Sequence, residues 1–255
     1  MTNPAFLIDL DGVLYVGDKA VPGAARAIQT LEEGGYPFRF LSNSTRKSRA
    51  SIAALLEKYG FSIPASRIFT PPVAAIAAIR ESGKGKCRFL IMGDVDRDFT
   101  EAGILPCKEK CDWVVVGDAG DNFTYRSMTL AMRDILEGAG ILALEHDRYW
   151  MGTDGLMPSA GVFVSALEFA TGKEALVVGK PSPAFFSLAL RDMGADPSQA
   201  YMIGDDIRTD VGGAQAAGIR GVLVRTGKFR ENVLKESGIT PDRILNSLAD
   251  IGELL

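Results

Sequence analysis

The sequence predicts an α/β fold in which helices cover parallel sheets, and three observations carry that prediction. Short apolar runs alternate with helix-period patterns along the whole chain, the order that builds parallel sheets. Several runs are continuously apolar, among them Trp113-Val114-Val115-Val116 and Leu176-Val177-Val178, as strands buried on both faces should be. The composition, 47% hydrophobic and 24% charged over 255 residues, is that of a packed globular chain and excludes wholesale disorder.

In chain order, the first strand is Ala5–Ile8, an apolar run halted by Asp9, and the helical pattern Gly23–Glu33 follows it. Phe38–Leu41 is the next strand, ending at the polar Ser42-Asn43-Ser44-Thr45, after which Arg46–Tyr59 and Pro72–Glu81 carry the helical period. Strands over Arg88–Met92, Trp113–Val116, Ile141–Leu144 and Ala175–Val178 are then interleaved with helices over Tyr125–Glu137 and Gly161–Ala170. The chain closes on a helix Pro183–Met193, a strand Ala200–Ile203, a helix Asp210–Ala217 and a strand Gly221–Val224. Paired prolines at Thr70-Pro71-Pro72 mark one boundary, and Gly179-Lys180-Pro181 marks a weaker second one. The self-sufficient stretch between them predicts an inserted domain over 72–178 within an outer domain made of 1–71 and 179–255.

Charge excludes some functions. The 28 basic and 32 acidic residues give a net charge of −4 with no basic block, so neither nucleic acid nor an anionic membrane is an expected partner. No apolar stretch approaches the roughly 18 residues of a membrane span, and MTNPAFLIDL has no basic segment of a signal peptide. A cytoplasmic location is therefore expected. Cys87, Cys107 and Cys111 are an odd number, and His146 is the single histidine, too few for a zinc site, so all three cysteines are expected as free thiols.

Four clusters carry chemistry. Asp9-Leu10-Asp11-Gly12 follows a buried strand, and ligands gather beyond the carboxyl ends of parallel strands. One carboxylate there can attack an electrophile or bind a cation, and the second can move a proton; the bland alternative is a solvated turn. Gly204-Asp205-Asp206…Asp210 also follows an apolar strand, and its three acids fit a Mg²⁺ ion; the bland alternative is an acidic helix start capped by Asp210. Ser42 and Asn43 lie between a strand end and a helix N-terminus, as an anion cradle or a plain cap. Lys180 is held between a strand and proline-locked backbone, where it could neutralise a phosphate or lie on the surface. The glycines of Val211-Gly212-Gly213-Ala214-Gln215-Ala216-Ala217-Gly218 lack the spacing of a dinucleotide fingerprint and are expected to serve close helix packing.

The order and spacing of the four clusters resemble the haloacid dehalogenase (HAD) superfamily of phosphohydrolases. Asp9-Leu10-Asp11-Gly12-Val13-Leu14-Tyr15, Ser42-Asn43-Ser44-Thr45-Arg46, Val178-Gly179-Lys180-Pro181-Ser182-Pro183 and Arg225-Thr226-Gly227-Lys228 are similar to its NagD and p-nitrophenyl phosphatase-like subgroup, subfamily IIA. Asp154-Gly155-Leu156, Ala166-Leu167-Glu168-Phe169-Ala170-Thr171 and the run from Gly204 to Gln215 resemble the branch of that subgroup active on inorganic pyrophosphate and on phosphorylated lysine and histidine. The resemblance implies a Rossmann-like core with an inserted α/β cap of the C2 type. It implies that Asp9 is the nucleophile forming an aspartyl-phosphate, and that Asp11 is the general acid and base. It further implies Mg²⁺ on the Asp9 carboxylate, the Asp11 carbonyl and Asp205, with Asp206 and Asp210 in support. Ser42, the Asn43 amide and Lys180 would hold the phosphoryl oxygens of a small phosphorylated substrate.

Substrate choice is then expected from the cap, with loops 117–123, 145–152 and 153–161 as candidates and His146, Arg148, Tyr149 and Trp150 as contacts or ordinary packing. An exposed apolar face on the cap could make a homodimer, though the sequence does not locate one. Two other readings stay open: a phosphotransferase or phosphomutase using the same intermediate, and a phospho-accepting signalling module, which would be about half as long and lack the insertion.

Overall fold

The computed structural model describes residues 3–255. The chain opens with strand β1 (Ala5–Asp9), a small hairpin of β2 (Tyr15–Val16) and β3 (Lys19–Ala20), helix α1 (Ala24–Glu33), β4 (Phe38–Leu41), helix α2 (Arg49–Lys58) and β5 (Ile68–Phe69). It continues through α3 (Pro71–Glu81), β6 (Cys87–Leu90), α4 (Asp96–Glu101), β7 (Trp113–Val116), α5 (Tyr125–Leu136) and β8 (Gly140–Ala143). An antiparallel hairpin of β9 (Tyr149–Gly152) and β10 (Gly155–Pro158) follows, then α6 (Ala160–Thr171) and β11 (Leu176–Val177). The last stretch holds α7 (Pro183–Met193), β12 (Ala200–Gly204), α8 (Gly213–Ala216), β13 (Arg220–Val224), α9 (Glu231–Ser237) and β14 (Arg243–Leu245).

These elements form two compact units. The first comprises the chain up to Ser42, Ile52–Phe69 and Lys180–Leu255; the second comprises Asn43–Ser51 and Thr70–Gly179. In the first, six parallel strands run in the order β14-β13-β12-β1-β4-β5. β1 and β12 lie side by side where the order of connection reverses, and the crevice beyond such a switch point is where ligands bind in open α/β sheets. Every residue of β1 is buried, as its unbroken apolar run requires, and Phe6 and Ile8 pack on Phe38, Phe40, Leu31, Leu56 and Val222.

The second unit has its own parallel sheet, β11-β8-β7-β6. Val114, Val116, Ile141 and Ala143 of that sheet form a core with Ala131 and Ile135 of α5 and Val164 and Leu167 of α6. Each unit thus has the sheet-and-helix architecture expected from the alternation of elements.

Several local expectations are corrected. The helix expected from Arg46 begins at Arg49, because Arg46 and Ser48 bond through their backbone to the Asp94 loop instead of starting a turn. The stretch expected as helix from Asp210 is a π-helical turn, Ile207–Gly212, that passes into the short α8. Residues 149–158, read as loops, form the β9–β10 hairpin, closed by Thr153-Asp154 with Gly155 at φ 119°. β5, β14, α4 and α9 are too short to leave a periodic signature. Cys107 and Cys111, expected as free thiols, are joined by a disulfide, and only Cys87 is free. Their loop turns through Lys110 at φ 52° and leaves the two Cα atoms 5.9 Å apart, within bridging range.

Candidate active site

The C-terminal ends of three neighbouring strands of the first unit deliver the site. β1 ends on Asp9, β4 is followed by Ser42, and β12 ends on Gly204, one residue before Asp205. Asp9, Asp205 and Asp210 are all buried, and one carboxylate oxygen of each lies within 4.8 Å of the others. Lys180 is buried with them. Its Nζ donates to Asp9 Oδ1 at 2.6 Å and to Asp210 Oδ1 at 2.7 Å.

The local chemistry explains how this crowding is achieved. Gly12 has φ 85°, a left-handed conformation that a side chain resists, and a Cβ there would overlap the Asp205 carboxylate. Gly204 lies so close to Asp210 that a Cβ would strike its carboxyl group. Asp205 Oδ2 accepts the Lys228 backbone N–H at 2.7 Å, and Thr226 Oγ1 donates to the Gly12 carbonyl at 2.5 Å. Asp205 Oδ1, by contrast, is buried with no hydrogen-bond partner, one of two such side-chain atoms among the described residues.

Electrostatics follow from that burial. Desolvation raises the Asp9 carboxyl well above the ordinary range; Lys180 opposes the rise and Asp210 adds to it. Asp205 is pushed up to about 6, again mainly by burial, with the Lys228 N–H pulling the other way and Asp210 pushing up. Burial works against the Lys180 ammonium, but Asp210 and Asp9 outweigh it, and its pKa ends above that of a free lysine.

Asp9, Lys180 and Asp205 thus meet as one cluster, and Asp210, expected as a supporting residue, is a full member of it. Asp11 lies beyond the cluster with an exposed side chain. Asp206 is a cap: its Oδ1 accepts from Arg208 N at 2.9 Å and Thr209 N at 3.1 Å. The helix start is therefore capped by Asp206, while Asp210 accepts the Asp206 N–H at 3.2 Å and faces Lys180. The Ser42 backbone N–H donates to the Phe69 carbonyl at 3.2 Å, fixing the end of β4, and Asn43 groups with the second unit. Sequence reasoning did not assign Thr226 and Lys228 to the site; their signal was their position directly after the apolar strand β13.

In the second unit, His146 Nε2 lies 3.4 Å from Glu168 Oε2 and 3.5 Å from Ser165 Oγ. Both partners approach the same nitrogen, so the three do not form a relay. Trp150 carries the Arg46 guanidinium 5.4 Å from its ring centre, and Arg46 Nε pairs with Asp118 Oδ2 at 2.7 Å.

The first unit is thus a parallel-sheet α/β fold with a buried aspartate–lysine centre at the carboxyl edge of its sheet. Residues 6–104 match the family described as haloacid dehalogenase-like hydrolase, and residues 177–251 match the one described as HAD-hydrolase-like. The phospholysine phosphohistidine inorganic pyrophosphate phosphatase of Xenopus laevis is 38% identical over 98% of this chain and 94% of its own length. The human haloacid dehalogenase-like hydrolase domain-containing protein 2 is 40% identical over 89% of this chain and 85% of its own. Among solved structures, a p-nitrophenyl phosphatase from Archaeoglobus fulgidus is 29% identical with a TM-score of 0.88 over 100% of both chains. NagD from E. coli K-12 is 27% identical with a TM-score of 0.87, covering 98% of this chain and 99% of that one. The chain belongs to the haloacid dehalogenase-like hydrolase family.

Proposed function

We propose that the chain is a phosphatase of small phosphorylated compounds that works with Mg²⁺ through an aspartyl-phosphate. The observation that carries this reading is the buried set of Asp9, Asp205 and Asp210 around Lys180, with Asp205 Oδ1 left without a partner. An orphaned carboxylate oxygen among three acids fits a hard divalent cation, which takes oxygen ligands. Asp9 and Asp205 would hold it with the Asp11 carbonyl, and Asp210 would support them through Lys180. When bound, the ion would neutralise charge on the phosphoryl oxygens.

The chain's own residues would do the rest. Asp9 attacks phosphorus in line, forming a carboxylate oxygen–phosphorus bond as the bond to the leaving oxygen breaks. Asp11 gives its proton to that oxygen, then takes one from the water that hydrolyses the aspartyl-phosphate, which restores Asp9 and releases inorganic phosphate. Asp11's exposure suits a group that must reach both leaving group and water. Ser42, the Asn43 amide and Lys180 hold the phosphoryl oxygens, where fixed donors are worth most.

The relatives' names suggest inorganic pyrophosphate, phospholysine and phosphohistidine as the first substrates to screen. We infer a cytoplasmic site of action. No helix among the described residues is long and apolar enough to cross a membrane. A homodimer through the cap is supported by the hairpin face that carries Tyr149, Met151 and Leu156, all exposed.

The test is p-nitrophenyl phosphate hydrolysis with Mg²⁺ and with EDTA, beside Asp9→Asn. Turnover that needs the metal and falls by about 10³-fold or more in the variant is expected. Turnover that survives Asp9→Asn overturns the assignment.

A further inference from the structure

We propose that Thr226, in the turn after β13, is a positioning residue for the Mg²⁺ ligands. Its hydroxyl holds the Asp11-Gly12 turn beside Asp205 and so sets the Asp11 carbonyl. The proposal rests on the reading given above of Asp205 and the Asp11 carbonyl as ligands. Every contact it uses lies within the first unit.

Turns from two strand ends meet at Thr226-Gly227-Lys228. The Thr226 hydroxyl donates to the Gly12 carbonyl at 2.5 Å, and the Lys228 N–H donates to Asp205 Oδ2 at 2.7 Å. Gly227, at φ 61°, fills the space between them, and a Cβ there would strike both Asp205 Oδ2 and the Gly12 Cα. A Cβ on Gly12 would meet the same carboxylate oxygen. Asp205 Oδ2 is thus wedged between two glycines and held by an N–H, while Oδ1 keeps no partner.

The clasping turn is itself anchored. The Arg225 N–H donates to the Leu245 carbonyl of β14 at 3.0 Å. The Arg230 guanidinium donates to the Gly227 carbonyl at 3.1 Å and to the Phe229 carbonyl at 2.7 Å. Phe229 packs against Ile207, Val211 and Leu223, which ties the turn to the π-helical segment that follows Asp205. The Thr226 hydroxyl is therefore a donor on a fixed support.

The consequence for Asp11 is geometric. The Gly12 N–H donates to the Tyr15 carbonyl at 2.7 Å, and in a planar trans peptide the Asp11 carbonyl points opposite to that N–H. Thr226 fixes the next peptide, through the Gly12 carbonyl. Glycine has the freest backbone of any residue, so these two bonds are what hold Gly12 in one conformation. Without the hydroxyl one fixed point is lost, and the Asp11 carbonyl moves with the turn. Groups that orient metal ligands in this way are worth about 10–100-fold in metal affinity.

The test is isothermal titration of the full chain with Mg²⁺, without substrate. It compares the wild type, Asp205→Asn, Thr226→Val and Thr226→Ser. Thr226→Val keeps the shape and removes the donor, and its dissociation constant for Mg²⁺ should rise about 10-fold or more. Thr226→Ser keeps the hydroxyl and should recover most of that loss. A packing role predicts the opposite order, since valine keeps the methyl group that serine lacks. If Thr226→Val does not fold, Thr226→Ala removes the same hydroxyl and should weaken binding in the same direction. Where Asp205→Asn weakens binding, a wild-type constant in Thr226→Val, or a loss in Thr226→Ser as large as in Thr226→Val, overturns the positioning role and leaves the cation assignment standing. No Mg²⁺ binding by the wild type, or an unchanged constant in Asp205→Asn, overturns the assignment and the proposal with it.

Discussion

Replacing Lys180 with methionine keeps the length of the side chain and deletes its charge. The wild-type ammonium is 5% exposed and sits 2.6 Å from Asp9 and 2.7 Å from Asp210, whose side chains are 10% and 1% exposed. Without it, two buried carboxylates lose their counter-charge, and breaking a buried pair in this way costs about 3–5 kcal/mol. For a chain of this size each kcal/mol is worth roughly 2–4 °C, so the melting temperature should fall by roughly 6–20 °C. The assay is calorimetric melting in EDTA, which keeps bound cations from masking the loss. Adding Asp210→Asn should recover part of the drop, because it removes one of the stranded charges, and the cycle isolates the pair. A fall of under about 3 °C, or an Asp210→Asn substitution that deepens the loss, would refute the claim that Lys180 offsets the burial of both acids.

Two further expectations concern single residues. Gly12→Ala places a side chain at φ 85° against the Asp205 carboxylate, so turnover should drop by at least about 10-fold; near-normal kcat/KM would count against the packing described. Glu145 is buried, and its carboxyl is raised mainly by that burial, opposed by the Ser159 hydroxyl at 2.8 Å. A group whose folded pKa lies above its unfolded one favours folding at low pH and loses that contribution as pH rises through the folded value. Glu145→Gln, whose amide oxygen still accepts from Ser159, should therefore melt on the order of 2 °C higher at pH 7.5, with the gap closing toward pH 4.5. A lower melting temperature across the whole range would contradict this.

What the sequence made legible follows from how each feature is encoded. Trp113–Val116 and Ala200–Gly204 are strands buried on both faces, and their unbroken apolar runs say so directly. The β9–β10 hairpin is exposed, its Tyr149, Met151 and Leu156 sharing one side of a two-stranded ladder, and that pattern is hard to tell from a loop. Asp205, Asp206 and Asp210 were visible as an acidic cluster, but not which would cap and which would face Lys180. That division depends on the π-helical turn, which tightens no sequence period. The Cys107–Cys111 bridge was missed because counting cysteines against chain size says nothing of a turn that folds two of them together. Long-range polar contacts such as Ser51 to Asp94 leave no local trace at all.

The charge balance of the centre argues for what completes it. Asp9, Asp205 and Asp210 contribute −3 when ionised and Lys180 contributes +1, so −3 + 1 leaves −2 among buried side chains. Part of that deficit is relieved by the upward shifts of Asp9 and Asp205, which partly protonate instead of standing as bare charges. The role proposed for Asp9 requires the ionised carboxylate, because a protonated carboxyl does not attack phosphorus. A divalent cation held there would make the sum zero and favour the ionised forms of both carboxyls. A monovalent ion would leave the deficit half filled. The unpartnered oxygen of Asp205 is then the atom whose satisfaction should couple metal binding to the ionisation of Asp9, and loss of Mg²⁺ affinity in Asp205→Asn is the consequence to expect.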